Sequence, residues 1–330
     1  MKKILILGSN SCAGAGVICE LAKSQVYDIL PTSRGIERPS FYLPYKWQAN
    51  PNIRKFEQLN LNTQLDKLEE ILETFKPHYV INFASQSMVG ESWETPEDWM
   101  RTNVTSLMKL VQVLQNKKFI EKYIHFSTPE VYGDTGSSWV KENSNFQPTT
   151  PYALSRACGD QIVNMWRDNF DFPVVITRSA NVYGSGQQLY RIIPKAIYSI
   201  VKGQKIPLHG GGLSIRSFIH YVDIASALDI IMQKGQIGES YHISPKKNIS
   251  IAELIKLISN KLRVNFDDFV ERSPDRRGKD QYYLLDSEKI YEMGWKPIVT
   301  LSDGIQDCIG WVKKNFKNIP EESLKYIHTR

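Results

Sequence analysis

The sequence predicts an α/β protein whose core is a Rossmann-type doubly wound parallel sheet, followed by a smaller substrate-binding region. Strand-length apolar runs alternate with amphipathic helical stretches, and the first run ends in a glycine loop that opens a helix. Size agrees: 330 residues, 42% apolar and 23% charged, suit one large domain or a larger and a smaller one sharing a core.

Residues 4–7 form a continuous apolar strand, and Val17, Ile18, Leu21 and Ala22 place a helix over 14–25. An extended segment at 27–33 precedes a helix carried by Leu65, Leu68, Leu72 and Phe75 and stopped by Pro77. A strand at 79–83 leads to a helix opened by Thr95 and Pro96, with Glu97 and Asp98 suiting the positive pole of its first turn. Strand 123–128, helix 151–169 and strand 174–178 continue the rhythm. Strands apolar on both faces and joined through helices pair in parallel, with right-handed crossovers. Beyond Tyr183 the elements shorten, with a glycine triplet at Gly210–Gly212 and a capping box from Ser250 to Glu253. The dinucleotide-binding domain is therefore expected at 1–183 and a mainly substrate-binding region at 184–330. The stretch around 216–235 is expected to pack back on the first domain, with a ligand cleft between the two.

Lys and Arg exceed Asp and Glu by 41 to 35, a net charge of +6, but the cations are scattered. That pattern suits an enzyme for phosphorylated ligands and argues against a nucleic-acid partner. Four cysteines without paired or metal-ligand spacing imply free thiols in a reducing compartment, the cytoplasm. The six histidines form no metal-spaced cluster, so no metal site is expected. No apolar stretch reaches the roughly 18 residues of a membrane helix.

Gly8-Ser9-Asn10-Ser11-Cys12-Ala13-Gly14 sets Gly8, Ser11 and Gly14 three apart between a strand and a helix, a dinucleotide fingerprint with serine at its middle glycine. The first glycine permits the turn, the last permits close packing, and the helix N-terminus offers N–H groups to a pyrophosphate. The acidic residue that would hold an adenosine ribose after the second strand is replaced by Thr32-Ser33-Arg34. Two hydroxyls and a guanidinium suit a 2′-phosphate, which favours NADP over NAD as cofactor.

Thr150 and Pro151 suit the N-cap and first position of a helix, which puts Tyr152 and Arg156 on one face, a turn apart. A phenol is a poor base at neutral pH. A cation about 5 Å away, at an effective dielectric of about 20, favours the phenolate by roughly 3 kcal/mol, about two pKa units.

With these residues the chain resembles the extended short-chain dehydrogenase/reductases, specifically their nucleotide-sugar epimerases and 4,6-dehydratases. The resemblance runs nearly end to end: the glycine loop, Asn82 to Ser87, Ser127 to Gly133, Tyr152 to Arg156, Arg178 to Gly184, Ile215 to Phe218 and Asp275 to Gly278. Arginine stands where the family has lysine. The resemblance implies that Tyr152 takes the proton from the sugar C4 hydroxyl, Thr128 supports it by hydrogen bonding the substrate, and Arg156 supplies charge and ribose contacts. It implies further cofactor contacts at Gly8, Ser11, Cys12, Gly14, Ser33, Arg34, Asn60 and Ala84. It also implies substrate contacts at Gln86, Thr128, Asn181, Arg216 and Arg276.

Glu130 separates the subfamilies, because 4,6-dehydratases carry glutamate there and epimerases typically a neutral residue. C4 oxidation acidifies the C5 hydrogen, which a carboxylate at that point abstracts as the C6 hydroxyl departs. Glucose dehydratases usually place an aspartic acid just before that glutamate, and Pro129 stands here instead. The GDP-mannose branch manages with a serine there, and its Gln-Ser-x-Val run resembles Gln86 to Pro96. The expectation is an NAD(P)-dependent nucleotide-sugar 4,6-dehydratase-like enzyme. Its rivals are an epimerase acting at C4 or C5 and a non-catalytic NADP-binding protein. By resemblance the protein is a homodimer joined through the Tyr152 helix and the helix around 98–116.

Overall fold

The computed structural model describes residues 1–274 and 280–328. The first region holds strands β1 (Lys2–Leu7), β2 (Tyr27–Ser33), β3 (Glu57–Gln58), β4 (Tyr79–Asn82), β5 (Lys122–Ser127) and β6 (Val174–Ser179). Between them run helices α1 (Cys12–Leu21), α2 (Leu65–Phe75), α3 (Pro96–Met100), α4 (Ser106–Leu114) and α5 (Pro151–Phe170). After β7 (Asn181–Tyr183) come α6 (Ile192–Lys202), β8 (Ile206–His209), β9 (Ile215–Arg216), β10 (Phe218–His220), α7 (Tyr221–Lys234) and β11 (Ser240–Ile243). Strand β12 (Ile249–Ser250), α8 (Ile251–Leu262), β13 (Val270–Ser273), α9 (Glu288–Glu292) and α10 (Leu301–Asn315) complete the order.

The main sheet has seven strands in the order β11-β6-β5-β4-β1-β2-β3, every neighbouring pair parallel. Alternation along β1 explains the two covered faces. Ile4 and Ile6 enter one core with α1 and α7, and Leu5 and Leu7 enter another with α2, α4 and α5, all at most 1% exposed. Each such side chain contributes about 1.5–3 kcal/mol by burial. The chain leaves β1 towards β2 on one side and returns to β4 on the other, so a crevice opens at the carboxyl ends of β1 and β4. The chain beyond Tyr183 contributes to this layer as well: α7 lies against α1, and β11 adds the outermost strand beside β6. Helices α6, α8 and α10 build a separate core around Ile197, Leu254, Ile258 and Ile309, alongside the parallel pair β8–β13.

The caps read from sequence are formed. The Thr150 hydroxyl accepts from the Ala153 N–H with Pro151 at N1, and Ser250 with Glu253 closes a reciprocal capping box. The helix opened by Pro96 is less regular than its spacing implied. Residues Arg101–Thr105 widen into a π-turn between α3 and α4. That turn carries Asn103, whose side chain accepts from the Gln86 N–H at 2.9 Å and donates to the Gln86 carbonyl at 3.0 Å and to Ser155 Oγ at 2.9 Å. The π-turn thereby ties the loop after β4 to the helix that bears Tyr152.

Candidate active site

The strand ends open into a cleft of about 1010 Å³. At its floor Gly8 has φ +92°, and a Cβ there would meet the backbone of Phe83 and Ala84 at 2.8 Å, so only glycine fits. A Cβ on Gly14 would lie 2.5 Å from the Gly8 carbonyl oxygen. Ser11 N-caps α1: its hydroxyl accepts from the Gly14 N–H at 3.0 Å and donates to the Gly8 carbonyl at 2.7 Å. The serine thus braces the loop from inside. Cys12 and Ala13, in the first turn of α1, line the cleft, where helix-terminal N–H groups lack intrahelical acceptors. Burial pushes the Cys12 thiol up to about 12 despite the Arg191 charge, so no thiolate opposes an anion there. A cradle that a Cβ would fill, beside a helix N-terminus, fits a pyrophosphate.

At the far end Ser33, Arg34 and Asn60 line the wall. The expected pair of hydroxyls is reduced to one, because Thr32 is 1% exposed and its hydroxyl donates to the Ile6 carbonyl at 2.9 Å. Asn60 shapes its own loop, accepting the Asn62 N–H at 3.0 Å. Ala84 donates its N–H to Asn82 Oδ1 at 2.9 Å, which fixes the turn against Gly8.

Tyr152, Arg156, Thr128 and Glu130 meet in the middle of the cleft. Thr128 follows β5 and lines the cleft with Tyr152, where its hydroxyl favours the ionised phenol. The sequence argument expected a phenol made acidic by Arg156, and the net result is the reverse. Burial first, and the Glu130 charge second, push Tyr152 up to about 12, outweighing Arg156, Thr128 and Arg191. The reason lies partly in where Arg156 points. Its Nη2 donates to the Phe126 carbonyl at 2.5 Å and stands 3.5 Å from His125 Nε2. Its buried Nε has no partner among the described residues, although the side chain lines the cleft. Glu130 Oε2 is likewise buried and unpartnered. Burial pushes the Glu130 carboxyl above the usual range, against its own backbone hydrogen bond and the Arg216 and Arg191 charges.

Of the residues expected to contact substrate, Gln86, Asn181 and Arg216 line the cleft, and Arg276 lies outside the described residues. Arg216 is committed to its own lobe. It donates to the Ile215, Gln281 and Asp280 carbonyls at 2.8–3.0 Å and stacks 4.2 Å over Tyr283, leaving Nε without a partner among the described residues. Asn181 donates to the Ser217 carbonyl at 3.2 Å.

Sequence reasoning missed Arg191, which donates to Ser87 Oγ at 2.9 Å and whose charge reaches both Tyr152 and Glu130. A signal existed, since Arg191 is the N-cap of α6, where a cation faces the positive helix pole and no side-chain cap forms. A local rule broken in this way marks a functional position. Among the described lining residues seven are Lys or Arg and two are Glu, an imbalance that suits polyanionic ligands.

These features have counterparts among known proteins. The dTDP-D-glucose 4,6-dehydratase of Homo sapiens is 35% identical over 253 residues, covering 75% of this chain and 72% of that one. The dTDP-glucose 4,6-dehydratase DesIV of Streptomyces venezuelae, crystallised with NAD bound, superposes with a TM-score of 0.89 at 26% identity over 98% of this chain and all of that one. The UDP-glucuronic acid 4-epimerase of Bacillus cereus shares the fold, with a TM-score of 0.86 at 23% identity over 94% of this chain and 99% of that one. The family model for GDP-mannose 4,6-dehydratase matches residues 41–308, which takes in Tyr152, Arg156, Thr128 and Glu130. The chain is therefore a member of the GDP-mannose 4,6-dehydratase family.

Proposed function

We propose that the protein is a nicotinamide-dinucleotide-dependent 4,6-dehydratase acting on a nucleotide-sugar. The observation that carries this is the meeting of the Tyr152 phenol, Thr128 and the Glu130 carboxyl, whose buried Oε2 has no partner among the described residues, in one cationic cleft. Gly8, Ser11, Cys12 and Gly14 would hold the dinucleotide, with Arg156 near its ribose, and its nicotinamide would supply an acceptor for the C4 hydride and a donor of that hydride to C6. Tyr152 removes the C4 hydroxyl proton, helped by Thr128 and Arg156. Glu130 then takes the C5 proton and delivers it to the departing C6 hydroxyl, which leaves as water, so Pro129 need supply nothing; once C6 is reduced, C5 regains a solvent-derived proton through Glu130 and Tyr152 releases its proton to solvent. Arg191 and the free edge of Arg216 are placed to hold the substrate diphosphate, and Gln86 and Asn181 to orient the sugar.

Incubation with a panel of nucleotide-sugars should give a product lighter by one water, read by mass spectrometry. Turnover at unchanged mass would make the protein an epimerase. Glu130→Gln should still bind dinucleotide yet fail to incorporate solvent deuterium at C5. Continued incorporation in that variant removes Glu130 from the mechanism.

Ser33 and Arg34, with no carboxylate at the end of β2, support NADP as the preferred form, while DesIV carries NAD. Titration should therefore show tighter NADP binding in the native protein, and Arg34→Ala should erase that preference; parity before mutation removes the 2′-phosphate contact. A homodimer is supported by apolar side chains left exposed on α4 and α5, Met108 at 39%, Leu154 at 45%, Met165 at 47% and Phe170 at 56%. Sedimentation equilibrium checks it. Four unpaired cysteines support a reducing compartment such as the cytoplasm.

A further inference from the structure

The chain beyond α10 does not stay on the lobe that α10 belongs to. Ile319 and Leu324 pack into the core of α6, α8 and α10, and Glu321 pairs with Lys202 and accepts from Gln204 at 3.0 Å. From there the backbone crosses the cleft, which Lys325, Tyr326 and Ile327 all line. The Tyr326 hydroxyl donates to Gln86 Oε1 at 3.2 Å, and its ring meets Tyr190 edge-on at 5.2 Å. On the opposite bank His328 Nε2 lies 2.9 Å from Asp98 Oδ2, and the imidazole stacks at 4.9 Å on Trp99, a fully buried residue of α3. Both banks are thus joined by one short segment, while about 1010 Å³ of cleft remains beneath it. It covers the site without filling it.

We infer that residues 321–328 are a strap that closes over the bound dinucleotide, with Lys325 and Tyr326 facing the ligand and the His328–Asp98 pair as its latch. Three features favour a dinucleotide as what it covers. Tyr326 lies close enough to Arg34, at the adenosine end, to feel its charge, and to Arg191 at the other end. Lys325 adds a cation to the lining of a cleft whose floor fits a pyrophosphate. Third, the inference rests on the proposed reaction, in which hydride leaves and returns within one turnover, so the dinucleotide has no need to exit between cycles.

The test follows release of bound NADH or NADPH fluorescence after a chase with excess oxidised dinucleotide. His328→Ala should accelerate dissociation about tenfold, equivalent to about 1.4 kcal/mol, with faster association too, because the same opening admits the ligand. Asp98→Asn should do the same, and the double variant should add little to either single one. Tyr326→Phe keeps the ring and loses the Gln86 bond, so its dissociation rate should fall between native and His328→Ala. Circular dichroism and melting temperature are followed alongside, and His328, partly exposed, should leave both intact. An unchanged dissociation rate in a folded His328→Ala protein overturns the strap. Failure of the native protein to bind any nicotinamide dinucleotide would overturn the proposed function instead.

Discussion

Tyr152→Phe is expected to lower kcat by about 10²–10⁴-fold, the share of rate that a positioned acid–base group supplies, with dinucleotide affinity little changed. The ring, 7% exposed, fills its pocket in either residue, and only the hydroxyl is lost. The ligand-free phenol, pushed up to about 12, is protonated at neutral pH. Work as a base therefore requires ligand to bring it down. A bound oxidised nicotinamide adds a positive charge beside Arg156, and either charge lowers the phenol in proportion to its closeness. Ultraviolet titration of the tyrosinate band should accordingly show one phenol moving down when oxidised dinucleotide is added, and no such movement in Tyr152→Phe. The acid limb of kcat/KM should lie above the ordinary carboxylate range, because Glu130 has to be ionised and burial raises its pKa; rate is lost as pH falls through that raised value. Full activity in Tyr152→Phe would end the case for C4 oxidation.

Arg178→Met should cost about 3–5 kcal/mol of stability, the usual penalty for stripping one partner from a buried ion pair. Arg178 is 2% exposed and Asp160 is fully buried. The guanidinium reaches Asp160 Oδ2 through Nε at 3.0 Å and Nη2 at 2.8 Å, and the Tyr132 hydroxyl through Nη1 at 2.8 Å, and lies 5.2 and 5.0 Å from the ring centres of Tyr132 and Phe146. Burial alone would raise the Asp160 carboxyl, but Arg178, and His125 3.4 Å from Oδ1, hold it well below the ordinary range. Without Arg178 that carboxylate is left charged in the interior. Urea unfolding should show the loss, and Asp160→Leu combined with Arg178→Met should recover most of it, since two apolar groups leave no orphan charge. A loss below about 1 kcal/mol in the single variant would show that water reaches the site.

Much of this molecule was legible in the residues. The glycine loop could be read because backbone geometry admits few side chains at Gly8 and Gly14, and the Tyr152 helix because its cap lies three residues from its partner. The direction of Arg156 was not legible, since what attracts its guanidinium is the Phe126 carbonyl on a strand 30 residues away. Nor was the role of Thr32, whose hydroxyl is taken by a neighbouring strand. Residues 321–328 carry no spacing motif, and their contact with Gln86 spans 240 residues, so only the folded chain brings them together. Periodicity also passed over the π-turn, because pattern matching assumes a constant residue count per turn.

That widened turn has a consequence for how this lineage tolerates change. One residue of an α-helix subtends about 100°. Excising a single position from Arg101–Thr105 would restore a regular helix and swing the Asn103 carboxamide away from Gln86 and Ser155, unhooking the loop after β4 from the tyrosine helix with no change at either. The stretch acts as a vernier: its length, more than its composition, sets the alignment of two distant parts.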